Sequence, residues 1–284
     1  EDESYIFAAQ DASTWLSSPK YKALLKRIKT HSRLGDDQFE QIYYPLIKNF
    51  FRFCQSFPHI ETPDALHVNV ALSRASQMLE QVAEKVGKHQ NAYKEFELLR
   101  LLYGIFSSAL LCGIGLLDRD RLISLTDSRG YHIQDWNMLT SPMMEKGDYY
   151  RVRFARIRSD QFAATQAMML AYRVMPAAGL AWVAQDNDLY LAWARALHHF
   201  EDGYSDFELL HDIKSLWENV KNNDIIQTKV AEPVYAKELE AAEMFWQWLK
   251  EMLEKNKLEF NQEDSAVHTV DGGGISVNLE RVFR

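Results

Sequence analysis

Cysteine is scarce in this chain. Its 284 residues hold two, Cys54 and Cys112, and each falls in an apolar helical pattern. Two isolated thiols imply no disulfide framework, which argues against a small cross-linked secreted scaffold and fits a reduced compartment. Positive charge is also in deficit. Lys and Arg number 32 against 40 Asp and Glu, for a net charge of −8 and an isoelectric point near 5.6. Phosphate contacts dominate nucleic-acid affinity, so this balance points toward protein partners. No apolar run reads as long enough to span a membrane. No charged segment followed by an apolar one opens the chain at Glu1. Internal repeats and low-complexity segments are lacking too. These absences lead to the expectation of a cytoplasmic protein.

What is present is an ordinary globular balance, 47% hydrophobic and 25% charged, in enough residues for one large domain or one large and one small. Ser18-Pro19 reads as an N-cap with proline at the first helical position, followed by Tyr21, Leu24, Leu25 and Ile28 at helical spacing. Asp36 or Asp37 is expected to cap a second helix, whose apolar stripe from Phe39 to Cys54 contains Pro45 and is expected to kink or split there. A third helix is predicted over 64–86. A central one, over 93–115, is apolar nearly all round after Leu98. Residues 118–147 read as a polar loop holding Trp136, with a turn at Ser128-Arg129-Gly130. Helices then resume over 159–175, 177–185, 188–200 and 206–222, and again over 237–255. Beyond these the period changes to strand, glycine turn and strand over 266–278. Helix followed by hairpin is a winged-helix-like pattern. The best linker candidate is 223–233, which predicts a helical domain over 1–230 and a small α/β module over 231–284.

The stretch Ser107-Ser108-Ala109-Leu110-Leu111-Cys112-Gly113-Ile114-Gly115 organises the functional reading. It resembles the heart of an HD-type metal domain, in which a small-apolar run precedes His-Asp, an apolar residue and Gly. Here the frame survives and Cys112-Gly113 stands where His-Asp would be. More widely, the chain resembles the TraI-type relaxase domain of the MobH class, an HD-fold family of conjugative and integrating elements. The resemblance is carried by Tyr21 to Ile28, by Phe39, Tyr43, Pro45 and Ile47, and by Gln55-Ser56-Phe57-Pro58. Trp136 and Tyr150-Arg151-Val152-Arg153-Phe154 add to it. So do Trp246-Gln247-Trp248-Leu249, Asn261, Ala266 to Val270 and Val282-Phe283.

What the resemblance implies is a mainly α, HD-like domain followed by a winged-helix-like module. The family's ligand His falls at Arg74 in Asn69-Val70-Ala71-Leu72-Ser73-Arg74, and its distal Asp can be matched only by Asp212. One carboxylate does not make a metal site, since three or four ligands are needed. The expectation is therefore a fold kept and a catalysis lost, with no cofactor and no metal. At this length, a ligand-stripped relative resembles a soluble subunit of the Dot/Icm type IV secretion coupling complex. That implies a coupling ATPase and its associated subunits as partners, no nucleic acid, and a place at the inner membrane held only through the complex. The alternative is an HD-type metal-dependent phosphohydrolase or relaxase-like DNA-processing enzyme.

Other features carry two readings each. Cys112 is a nucleophile only if a base activates it, and otherwise a buried small hydrophobe. His198, His199, Glu201, Asp202, His211 and Asp212 form the richest ligand cluster in the chain, or a solvated helix end and loop. The run from Tyr149 to Arg158 alternates arginine with apolar residues, which suits nucleic acid or internal ion pairing. Gly272-Gly273-Gly274 lacks the Lys-Ser/Thr and helix of a phosphate loop and reads as a hairpin tip. Trp246 and Trp248, two residues apart, cannot face one side of a helix. Trp246, with Phe245 and Met252, is the candidate partner anchor.

Overall fold

The computed structural model describes residues 5–59, 65–87, 94–140, 143, 147–154, 159–222, 234–235, 245–253, 255, 261–262, 265, 267–270 and 274–278. Contacts divide the chain into two units, Glu1–Pro233 and Val234–Arg284. The described residues are mainly helical, with small antiparallel sheets.

In the first unit, strand β1 (Tyr5–Ala8) leads into α1 (Ala12–Leu16), capped by the Asp11 carboxylate. α2 (Pro19–Ser32) begins as expected, on Ser18 and proline. α3 (Asp36–Cys54) starts after Gly35, so Asp36 and Asp37 occupy its first turn, where the helix dipole favours carboxylates, instead of capping it. Pro45 does not split α3. Tyr43, Leu46, Ile47, Phe50 and Phe51 are buried on both sides of it, and that packing outweighs the lost backbone hydrogen bond. α4 (His67–Gly87) and α5 (Glu95–Leu111) follow, with α5 buried almost continuously from Leu98.

The central helix was expected to run through to Gly115, yet it stops at Leu111. Gly113 adopts a left-handed φ of 74°, and α6 (Ile114–Asp120) starts afresh. The stretch Glu95–Asp120 also corrects the expectation about membrane spans. By length and composition it is apolar enough to cross one, although 78% of its most apolar window is buried inside the protein.

A further correction concerns 118–147, whose described residues are not all loop. It contains β2 (Arg121–Thr126) and β3 (His132–Asp135), which join β4 (Tyr149–Phe154) and β1 in the antiparallel order β3-β2-β4-β1. The register places Ile123 opposite Val152, Leu125 opposite Tyr150, and Ile6 opposite Arg151. The strands escaped notice because neither β2 nor β3 alternates: β2 is buried at five of six positions and β3 is exposed at all four. The turn at Ser128-Arg129-Gly130 stands as expected, with Gly130 at φ 84° and Asp127 Oδ1 accepting from the N–H groups of Arg129 and Tyr131.

Helices α7 (Asp160–Val174), α8 (Ala177–Val183), α9 (Asn187–Ala196), α10 (Phe200–Gly203) and α11 (Ile213–Asn222) complete the unit. The helices expected over 188–200 and 206–222 are both interrupted, the second by a 3-10 turn at Glu208–Leu210. One continuous core joins α1–α11 to the sheet, including Trp182, Trp193 and Trp217.

The second unit holds β5 (Val234–Tyr235), a helix over 245–253, and a hairpin of β6 (Val267–Val270) and β7 (Gly274–Val277) with Val267 opposite Val277. Leu249 and Val267 are its buried pair, with Phe245, Trp248, Leu253 and Val277 packed around them. The proposed linker 223–233, residues 236–244, Arg156, Arg158, Gly272 and Gly273 lie outside the described residues.

Candidate functional site

The site is the corner where α5 ends. The small residues of the motif frame let other helices approach. Ser107 Oγ accepts from Trp193 Nε1 at 3.0 Å, and the Ser108 hydroxyl lies 2.7 Å from the Tyr204 hydroxyl. The Gly113 N–H donates to Leu197 O at 2.8 Å, which ties the corner to the end of α9. The polar atoms of the frame are thus turned toward packing.

Cys112 sits at this corner, partly buried. Burial pushes its thiol up to about 11, although a hydrogen bond with the Phe200 backbone and the positive charges of Arg74 and Lys221 act the other way. A thiol held neutral is a poor nucleophile near pH 7. Gly113 adds no side chain, and its left-handed φ gives glycine a conformational reason to be there.

Arg74 reaches the same corner from α4, within electrostatic range of Cys112. Asp212 is drawn elsewhere. Its carboxylate forms an ion pair with Lys85 at the far end of α4. Burial opposes its ionisation, but the hydrogen bond and charge of Lys85 and the nearby His211 hold its pKa below the ordinary carboxylate value. The structure therefore brings Arg74, Cys112 and Gly113 together and gives Asp212 an ammonium partner.

The His198–Asp212 cluster does not converge. His198 Nε2 lies 3.0 Å from Ala164 O, His211 Nδ1 lies 3.2 Å from Glu208 O, and Asp202 faces Lys214 at 3.5 Å. Among the described residues, no group of three or more His, Cys, Asp or Glu is placed to hold a metal ion. The described part of the basic run, Tyr149–Phe154, is a sheet strand. Tyr150 and Val152 of β4 are buried, while Arg151 and Arg153 occupy the opposite face. Arg151 Nη2 donates to Gly130 O at 3.0 Å, and Ser56 N–H donates to the Tyr150 hydroxyl at 2.8 Å.

Sequence reasoning missed a neighbouring group. His59 and His67 stack at 5.5 Å, and the buried Arg121 donates to Pro58 O at 2.6 Å. Burial, then the charges of Arg121, His59 and Arg74, holds the His67 pKa well below the ordinary imidazole value. His67 and Arg74 are two helical turns apart on one face of α4, which was the available signal. His59 and Arg121 join them only through tertiary packing.

In the second unit, Trp246 is 42% exposed, whereas Trp248 and Phe245 pack together at 5.9 Å and Met252 is half-buried. Trp246 also meets the Phe245 ring, edge-on at 6.5 Å.

No curated protein matches the chain. Residues 6–277 match the family model TraI_2, described as "Putative helicase", and on that nearly full-length match the chain belongs to this TraI-type family.

Proposed function

We propose that this protein is a non-enzymatic recruitment subunit built on a TraI-type, HD-like helical fold with a winged-helix-like module. It resembles DotZ of the Dot/Icm type IV secretion coupling complex. On that reading its partners are the coupling ATPase and associated subunits, and it is held at the cytoplasmic face of the inner membrane through them. The observation that carries the non-enzymatic reading is the corner itself. Arg74 brings a fixed positive charge, the Cys112 thiol is pushed up to about 11, and Asp212 is ion-paired with Lys85. A divalent cation would meet the repulsion of Arg74 there, and among the described residues no set of anionic ligands converges on it.

Membership of a family with a helicase description favours a second reading, a relaxase-like DNA-processing enzyme or a phosphohydrolase. A helicase motor needs a phosphate-binding loop, and this chain contains no Gly-x-x-x-x-Gly-Lys-Ser/Thr segment.

Affinity purification of the tagged protein from its native cell, read by mass spectrometry, tests the proposal. Secretion-complex subunits are expected among the co-purified proteins. The same preparation, assayed by elemental analysis and for nucleotide and DNA cleavage, is expected to show no stoichiometric transition metal and no hydrolysis. About one metal per chain, with hydrolysis abolished by Asp212→Ala, would establish the enzyme instead. Trp246→Ala is expected to weaken partner capture while leaving the melt of the helical unit in place. Capture undiminished by that change moves the docking surface off the second unit.

A further inference from the structure

Met168, Met169 and Tyr172 of α7 are 36%, 52% and 70% exposed. The opposite face of the same helix, Ala163, Ala167, Leu170, Ala171 and Val174, already supplies the core. The exposed face is thus a second apolar surface that folding does not use. It borders a cleft of about 460 Å³ shared with Leu139, Leu180 and Tyr190. A volume of this size is that of a ligand site, and adjoining exposed apolar side chains mark interaction surfaces. Methionine's flexible thioether suits surfaces that must adapt to what they bind.

Arg173 sets the polarity of this groove. It lines the apolar cleft and also an adjoining one of about 160 Å³ that contains Asn49 and Arg52. Its Nη1 donates to Leu139 O at 2.7 Å, which holds the guanidinium at the junction. Among the described residues, neither lining includes an Asp or Glu, although the chain has 40 of them. An apolar trough ending in two guanidiniums on an otherwise acidic protein is complementary to apolar side chains followed by carboxylates.

We infer that this groove binds a short acidic, apolar peptide of a partner protein, its large side chains against Met168, Met169 and Tyr172 and its carboxylates on Arg173 and Arg52. Two arginines are too few for a membrane surface, which calls for a polybasic cluster, or for a nucleic acid, which calls for many phosphate contacts. The source of the peptide rests on the recruitment reading; the groove does not.

The test is selection of random twelve-residue phage-displayed peptides on the immobilised full-length protein, with fluorescence anisotropy of the synthesised winners. Enriched peptides are expected to pair large apolar residues with Asp or Glu. Their affinity is expected to fall at least tenfold with Tyr172→Ser and with Arg173→Gln. It should be unchanged with Leu191→Ser, which is 52% exposed on α9 and outside the groove lining. Melting temperatures confirm that each variant is folded, and the exposure of Tyr172 makes its variant the safer of the two. No enrichment, enrichment of basic peptides, or binding by the Tyr172 and Arg173 variants as tight as that of wild type overturns the inference. Groove-dependent peptides with no secretion partner recovered from cells would remove the recruitment reading and leave the groove. Partners recovered with no enriched peptide would remove the groove alone.

Discussion

At Cys112 a few side chains decide what a familiar frame can do. With its pKa at about 11, about 1% as much thiolate forms at pH 8 as in a cysteine titrating near 9. Labelling by a disulfide reagent at pH 8 is expected to be on the order of 100-fold slower in the native protein than after unfolding. Labelling of Cys112 at the rate of a free cysteine would show an activated thiol instead. Asp212 makes the complementary case. Its folded pKa lies below the value of 3.8 expected when unfolded, so its stabilising contribution is present above about pH 4 and is lost as pH falls through the folded value. Its side chain is 38% exposed, so solvent screens the pair with Lys85. Asp212→Asn is expected to cost about 0.5–1 kcal/mol in urea unfolding at pH 7. The difference from wild type should shrink as pH falls below the folded value. A cost that persists there would place the role of Asp212 outside its charge.

Elements meet closely where α6 crosses α7. A Cβ on Gly115 would lie 2.0 Å from Ala163 O and 3.2 Å from Ala167 N, and neither backbone atom can rotate away. Gly115→Ala is expected to force the helices apart and cost about 3 kcal/mol or more. In a unit of this size that lowers Tm by on the order of 10 °C. Gly35, with nothing within 4 Å of its built Cβ, is the control. Gly35→Ala should stay within about 1 kcal/mol of wild type, because Gly35 sits at the N-cap of α3. Equal melts for the two variants would mean that the α6–α7 approach is loose. The packing around α5 shows why the motif frame is built of small residues. Ser107 and Ser108 accommodate Trp193 and Tyr204 at hydrogen-bond distance, so packing alone gives a reason for this composition.

Across the whole molecule, charge bears on the choice between partner classes. The net charge is −8, and the arginines of β4 are spread along a strand, with Arg151 committed to Gly130 O. Duplex DNA is therefore expected to bind no tighter than the micromolar range at physiological salt, read by gel shift. Sub-micromolar binding that is lost on changing Arg151 and Arg153 to Glu would favour the DNA-processing reading.

The sequence by itself determined the helical class, most of the helices of the first unit and the terminal hairpin. Each rests on local periodicity, capping or turn chemistry within a few residues. Only the tertiary structure decided the rest. The β3-β2-β4-β1 sheet joins strands as far apart as Tyr5–Ala8 and Tyr149–Phe154, and the burial of β2 removes the alternation that would announce it. The continuity of α3 across Pro45 depends on side chains packing on both sides of the proline. Asp212 with Lys85, His59 with His67, and Arg173 with Arg52 are each pairs on different segments. Folding sets which residues meet across the chain, and a pattern confined to one segment carries no information about its neighbour in space.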